Sequence, residues 1–235
     1  MAEFLQDHGM EWQPDTQVPA QLISEAAGRV CYMSFGKGRG SNKDYLGNIL
    51  SSGHGSVLEH AIWNFIITGV SRTFTHELVR HRAGFGYSQL SQRYVNESEA
   101  DFIEPDCIAK DPESHEVWIE AISNAQEAYR ILAKKLRSQF SHIESRTLRR
   151  KLARQAARSV LPNATETKIF VTANARALRH FIELRANEHA EVEIRKVAGG
   201  MLKILQADAP NMFGDYQLEQ LDDGTEIALT EYPKV

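Results

Sequence analysis

Cysteine is almost missing from this chain: Cys31 and Cys107 are the only two among 235 residues, and they form no CxxC pair. A disulfide-stapled scaffold and a cysteine-built zinc site are both excluded on that count. Long apolar runs are missing too. The most aliphatic stretch, Ala61-Ile62-Trp63-Asn64-Phe65-Ile66-Ile67, is interrupted well short of the roughly 20 apolar positions that a membrane span needs. The first residues, Met1-Ala2-Glu3-Phe4-Leu5-Gln6-Asp7-His8, hold no apolar segment of the signal-peptide kind. A cytoplasmic location without a membrane partner is expected. Positive charge is not in excess either. A formal net charge of −4 argues against a surface given over to nucleic acid.

What is present is a hydrophobic content of 42%, enough for a full core. The length fits one domain covering residues 1–235, with no internal repeat. The cations are skewed, at 17 arginines to 10 lysines. Arginine offers a planar fork that bonds oxyanions in pairs, whereas lysine is a point charge. An acidic chain rich in arginine points to a local anion site.

Periodicity predicts a helix over Pro19 to Tyr32, with an apolar stripe of Leu22, Ile23, Ala26, Ala27, Val30 and Cys31, broken by Gly36-Lys37-Gly38-Arg39-Gly40-Ser41. A second helix is expected from Asn42 to Leu50, then a buried strand from Ala61 to Thr68 that ends at Gly69. Ser71 reads as the N-cap of a helix from Arg72 to Arg82, which would put Arg72, His76 and Arg80 on one face. The glycines at 84 and 86 then read as a loop. Longer helices are expected at 114–140, 147–160, 175–185 and 188–206, with a strand at 167–172 and weak patterning after Pro210.

Common catalytic signatures are poorly matched. The glycines at 36–41 lack the P-loop and dinucleotide-fold spacings, so that stretch reads as a surface loop. His54, His60, His76 and His81 form no HExxH, and a metal is not expected. Neither cysteine sits in a setting that marks a nucleophile, and Ser88 and Ser91 lack a GxSxG elbow. The arginines are harder to assign to solvated surface. Arg72, Arg80, Arg82, Arg93, Arg158, Arg176 and Arg185 stand beside small or apolar residues rather than in a charge run.

Arg80-His81-Arg82 followed by Ser91-Gln92-Arg93 resembles the signature of the flavin-dependent thymidylate synthases, Arg-His-Arg, seven residues, then Ser-x-Arg. The resemblance extends to Gly53-His54-Gly55-Ser56-Val57-Leu58-Glu59-His60, Thr75-His76-Glu77-Leu78, Arg158-Ser159-Val160-Leu161-Pro162, Thr172-Ala173-Asn174-Ala175-Arg176 and Leu184 to Ala190. Eight residues, Ala83 to Leu90, stand where the family has seven. The excess is placed within Ala83 to Gly86, where glycines can absorb it.

The resemblance implies an α+β fold, an antiparallel sheet packed by long helices, assembled as a homotetramer. It implies C5 methylation of dUMP to dTMP with methylenetetrahydrofolate as carbon donor and NADPH as reductant through FAD. By matching position, His54, Ser56, Arg80, His81, Arg82, Gln89, Asn174, Arg176 and His180 would contact FAD. Arg72, Glu77, Arg80, Gln89, Leu90, Ser91, Gln92, Arg93, Arg158 and Arg185 would hold dUMP. Arg185 would favour ionisation of the uracil at N3, which removes the need for an enzyme nucleophile. Two other readings remain beside this one: a methylase acting on UMP, and a non-catalytic RNA-binding protein using Phe85, Tyr87 and Tyr94 for stacking.

Overall fold

The computed structural model describes residues 1–38 and 40–235, so Arg39 of the glycine-rich stretch lies outside the described residues. In chain order the elements are α1 (Ala2–Asp7), α2 (Pro19–Tyr32), α3 (Asn42–Ser51), a 3-10 turn (Gly55–His60), β1 (Ile62–Ser71), α4 (Arg72–Leu78) and β2 (Phe85–Gln89). There follow α5 (Asp106–Ala109), α6 (Pro112–Gln139), α7 (Arg146–Ala157), a 3-10 turn (Arg158–Val160), β3 (Glu166–Asn174), α8 (Ala175–Arg185), α9 (Val192–Asp208), α10 (Pro210–Phe213), β4 (Gln217–Gln220) and β5 (Glu226–Leu229). The architecture is α+β, dominated by helices, with small sheets.

One sheet has the strand order β1-β3-β2. Its flanking bonds, Asn174 N–H to Gly84 O at 3.1 Å and Leu90 N–H to Lys168 O at 2.9 Å, run in opposite senses along β2 and β3, so that pair is antiparallel. Ala175 N–H to Ala61 O and Arg72 N–H to Thr165 O mark β1 and β3 as antiparallel in the same way. The second sheet is the hairpin β4–β5, antiparallel with Gln217 opposite Leu229. Among the described residues no helix is long and apolar enough to cross a membrane.

The chain divides into two compact units. The first is Met1–Phe65, His81–Gly86 and Thr172–Val235; the second is Ile66–Arg80 and Tyr87–Val171.

In the first unit Leu46, Leu58, Leu178, Phe181, Ile182, Ile194, Leu202 and Phe213 form the core. Asn174 caps α8 through Oδ1, which accepts from Ala177 N–H at 2.9 Å, a contact worth about 1 kcal/mol. Midway along α8, Arg179 is fully buried. It forks onto Asp215 at 2.7 and 2.8 Å, donates to the carbonyls of Met212 and Tyr232, and lies 4.6 Å from the Tyr216 ring centroid. A buried cation held by that many acceptors fixes the helix against the tail. The tail is better ordered than its weak patterning suggests, because Arg195 donates to Asp223 and Thr225 and secures the hairpin turn.

Helix α2 has the expected bounds but buries the unexpected face. Gln21, Ser24, Glu25, Gly28 and Arg29 are inside, while Ile23, Val30 and Cys31 of the apolar stripe are exposed. Most of the polar face is joined in a network, Arg29 Nε to Glu25 Oε1 at 2.7 Å, Asn42 Nδ2 to Glu25 Oε2 at 2.8 Å, and Asn211 Nδ2 to Asn42 Oδ1 at 2.9 Å, although Gln21 Nε2 and Ser24 Oγ have no partner among the described residues. Gly28 lets Tyr45 approach closely, since a Cβ there would meet the Tyr45 hydroxyl and force that side chain to shift.

In the second unit α6 and α7 pack on each other, and Tyr129 is buried. Ser71 caps α4 by accepting from Phe74 N–H at 3.1 Å, as expected. The helix stops at Leu78, four residues before Arg82. The Tyr87 hydroxyl donates to the Leu78 carbonyl at 2.9 Å, a tertiary cap that no local signal encodes. β1 also departs from expectation. It runs through Gly69, at φ +67°, to Ser71, and it is buried only in part: Ile67, Val70 and Ser71 are inside, while Ile66 is 73% exposed.

Candidate functional site

The expected site residues fall into two clusters, one in each unit. In the first unit His54 precedes the 3-10 turn and Ser56 lies in it, both exposed. Gly55 between them is buried, and a Cβ there would come within 3.1 Å of Arg176 Nε. Arg176, on the first turn of α8, pairs with Glu59 at 2.6 Å. Asn174 is committed to its capping bond through Oδ1. Arg82 and His180 are exposed, and among the described residues neither side chain is hydrogen bonded, nor are those of His54 and Ser56.

His81 and Arg185 form the centre of this cluster. His81 is 9% exposed, and its ring stands 5.1 Å from that of Phe181, 5.9 Å from Phe85 and 6.2 Å from His180. Arg185 Nε donates to His81 Nε2 at 3.0 Å. Burial first, then the Arg185 cation and His180, lower the His81 pKa to about 4. His81 is therefore neutral near pH 7. With Nε2 accepting, the ring proton sits on Nδ1.

The stretch expected to be a loop holds a β-turn and then strand β2. Phe85 N–H bonds to Arg82 O at 3.2 Å, closing a turn with Ala83 and Gly84 at its corners. Gly84 is at φ +74°, the left-handed value that the third position of a type II turn requires. It also packs closely, since a Cβ would lie 2.8 Å from both Asn174 Nδ2 and the Ala177 Cβ. The segment to which the sequence reading assigns the excess residue, Ala83 to Gly86, is thus a turn shaped by Gly84.

The second unit presents a different chemistry. Arg72 opens α4 half-buried, and its Nη1 has no partner among the described residues. Burial first, then the positive charge of Arg158, lower its pKa, while Glu97 pulls the other way. Gln92 is 5% exposed with an unpartnered Nε2. Glu97 is equally buried with an unpartnered Oε1, and burial raises its pKa despite Arg72. Arg80 is exposed in the turn after α4, Glu77 lies in the last turn of α4, and Arg93 lies 5.8 Å from the Tyr94 ring centroid. Among the described residues none of Arg80, Arg93 and Arg158 has a carboxylate within ion-pair distance.

Three expected ligands are tied into the fold, Gln89 by its side-chain amide and Leu90 and Ser91 by their backbone alone. Gln89 Nε2 donates to Thr75 and Thr167 at 3.0 and 3.3 Å. Leu90 N–H pairs with Lys168 O, and the Ser91 carbonyl accepts from Tyr94 and Val95. Glu97 was not foreseen, because Asn96-Glu97-Ser98-Glu99 reads as a solvated run. Among the described residues no group of three or more His, Cys, Asp or Glu side chains could hold a metal.

In this α+β protein, buried donors without acceptors beside Arg80, Arg93 and Arg158, which have no carboxylate partner among the described residues, have the chemistry that an oxyanion would complete. Comparison with known proteins sharpens that class. The family model described as thymidylate synthase complementing protein matches residues 15–211. The chain is 49% identical over 229 residues to a flavin-dependent thymidylate synthase of Mycolicibacterium gilvum, covering 96% of this chain and 91% of that one. It is 47% identical over 231 residues to that of Mycobacteroides abscessus, with coverages of 97% and 92%. It is 48% identical over 229 residues to that of Mycobacterium marinum, with coverages of 96% and 91%. The chain belongs to this family, that of the flavin-dependent thymidylate synthases.

Proposed function

We propose that this chain is an FAD-dependent methyltransferase that converts dUMP to dTMP, with methylenetetrahydrofolate as carbon donor and NADPH as reductant. The carrying observation is the second-unit cluster. Arg72 Nη1 and Gln92 Nε2 are buried donors without acceptors, which cost about 1–3 kcal/mol each until an acceptor arrives. A phosphate dianion supplies several acceptors and offsets the repulsion between Arg72 and Arg158. Arg72, Arg93 and Arg158 hold the nucleotide phosphate in this reading, with Glu77, Arg80, Gln89, Leu90, Ser91 and Gln92 around the rest of dUMP.

The first-unit residues fit a flavin. His54, Ser56, Arg82 and His180 offer side chains not committed to the fold, suited to the polar parts of FAD, and Arg176 adds a cation. Asn174 keeps one amide face for its cap, and Arg80, His81 and Gln89 complete the set. When bound, FAD carries reducing equivalents from NADPH to the one-carbon unit. Arg185 acts on the pyrimidine, its charge favouring the N3 anion and so making C5 electron-rich. His81 positions Arg185: being neutral, its Nε2 accepts from the guanidinium and adds no competing charge. No thiolate is needed, and both cysteines are exposed and free.

The fold is then that of the flavin-dependent thymidylate synthases, the 235 residues working as one domain. Each unit is assembled from separate pieces of chain, which supports that reading. A homotetramer in the cytoplasm is the assembly that the family resemblance implies, and exposed apolar side chains such as Tyr32, Ile62 and Ile66 suit contacts between subunits. The test is incubation of purified protein with FAD, a visible spectrum, and an assay of dTMP formation with dUMP and UMP in competition. Flavin absorbance with dUMP-dependent turnover is expected; a colourless, inactive protein contradicts the proposal.

A further inference from the structure

We infer that the groove between α6 and α7 is a second anion site, which takes a linear oligophosphate group of the kind carried by nucleoside triphosphates. The groove has a volume of about 650 Å³ and is lined by Arg130, Lys134 and Arg137 of α6 and Arg149, Arg150 and Arg154 of α7. No carboxylate lines it, and no residue assigned above to flavin or dUMP does. Six cations face one space in a chain whose net charge is −4.

Helix stability does not explain them. Arg137 lies in the last turn of α6, where the helix dipole welcomes a cation. In α7 the charges are at the unfavourable end: Arg146, Arg149 and Arg150 occupy the first two turns, and the helix holds no acidic residue. Arg146 and Arg150, and again Arg150 and Arg154, are like charges at i and i+4, which oppose helix formation.

The cations are held but not neutralised. Arg149 Nη2 donates to Ile143 O at 2.6 Å, Arg130 Nε to Ser98 O at 2.8 Å, and Arg154 to the Tyr94 carbonyl. These bonds orient guanidinium groups without cancelling their charge. Arg130 is 3.6 Å from Glu127, and Lys134, Arg137 and Arg150 have no carboxylate within ion-pair distance among the described residues. The hydroxyls of Ser98, Ser138 and Ser141 add neutral donors.

The lining also selects the class of ligand. It contains no aromatic ring, and its apolar members are Ala133 and Ala153. Single-strand nucleic acid sites stack bases on aromatic side chains, so this groove reads charge rather than bases. Its volume falls in the range of small-molecule sites. Arginine forks match the paired oxygens of successive phosphates.

The test is calorimetric titration of the full chain with sodium tripolyphosphate at fixed ionic strength, repeated with dTTP and with a 20-nucleotide single strand. Tripolyphosphate and dTTP are expected to bind with similar affinity, one per chain. Arg137→Gln/Arg150→Gln is expected to weaken both by about tenfold or more while leaving dUMP affinity unchanged, which separates this site from the nucleotide site. Both positions are exposed, and Lys134→Gln/Arg137→Gln serves as a second pair should the first fail to fold. Absence of tripolyphosphate binding, equal binding by the variants, or binding of the oligonucleotide alone would overturn the inference.

Discussion

The first-unit cluster around His81 and the second-unit cluster around Arg72 hold similar residue types in opposite electrostatic states. Around His81 several polar groups are matched within the fold: Arg185 bonds to a neutral imidazole, Arg176 to Glu59, and Asn174 to a helix end, while the uncommitted side chains of His54, Ser56, Arg82 and His180 are exposed. Around Arg72, buried donors and cations are left unmatched. A cluster satisfied by its own fold presents a fixed shape, which suits a resident planar cofactor. A cluster left in deficit by its fold is completed by what binds, which suits a charged substrate that comes and goes.

The contrast breaks most severely at Arg185. Arg185→Ala is expected to keep flavin absorbance and to lower dTMP formation by a factor of hundreds, about 3–4 kcal/mol of transition-state stabilisation. Turnover like that of the unchanged protein would remove Arg185 from the chemistry. His81 gives the next largest effect. It titrates near 6.5 when unfolded and near 4 in the native chain, so between those values the unfolded state binds more protons. Stability is therefore complete above pH 6.5 and falls by up to about 3 kcal/mol as the pH drops through 4. Denaturant titrations from pH 4 to 7 should show that slope, and His81→Gln should flatten it. Gly84→Ala combines a strained left-handed residue with a clash against Asn174 and Ala177. A loss of about 2–3 kcal/mol is expected by thermal unfolding, together with weaker FAD retention because Asn174 is displaced.

Much of this organisation is legible in the sequence where the signals are local. Pro19 opens α2, Ser71 caps α4, and α8 runs from Ala175 to Arg185 as its periodicity says. What escaped depends on distant partners. β2 hides in Phe85-Gly86-Tyr87-Ser88-Gln89 because its strand character comes from pairing with β3, not from its own propensity. The end of α4 is set by the Tyr87 hydroxyl, nine residues away. The inside face of α2 could not be read from hydrophobicity, since Glu25 and Arg29 become core residues only once Asn42 joins them. Among the arginines of α8, Arg176 carries the family motif and lies on the surface beside Glu59, whereas Arg179, which no motif marks, is fully buried on Asp215.

The division of labour between the two clusters is tested most directly at Arg158. FAD affinity and dUMP affinity should be measured side by side on unchanged protein and on Arg158→Gln, following flavin absorbance as dUMP is added. Loss of a charge-assisted phosphate contact, about 1.5–3 kcal/mol, should weaken dUMP binding by roughly ten- to a hundredfold and leave FAD affinity unchanged. Unchanged dUMP affinity, or FAD weakened as much as dUMP, would contradict the assignment of the phosphate to the second unit.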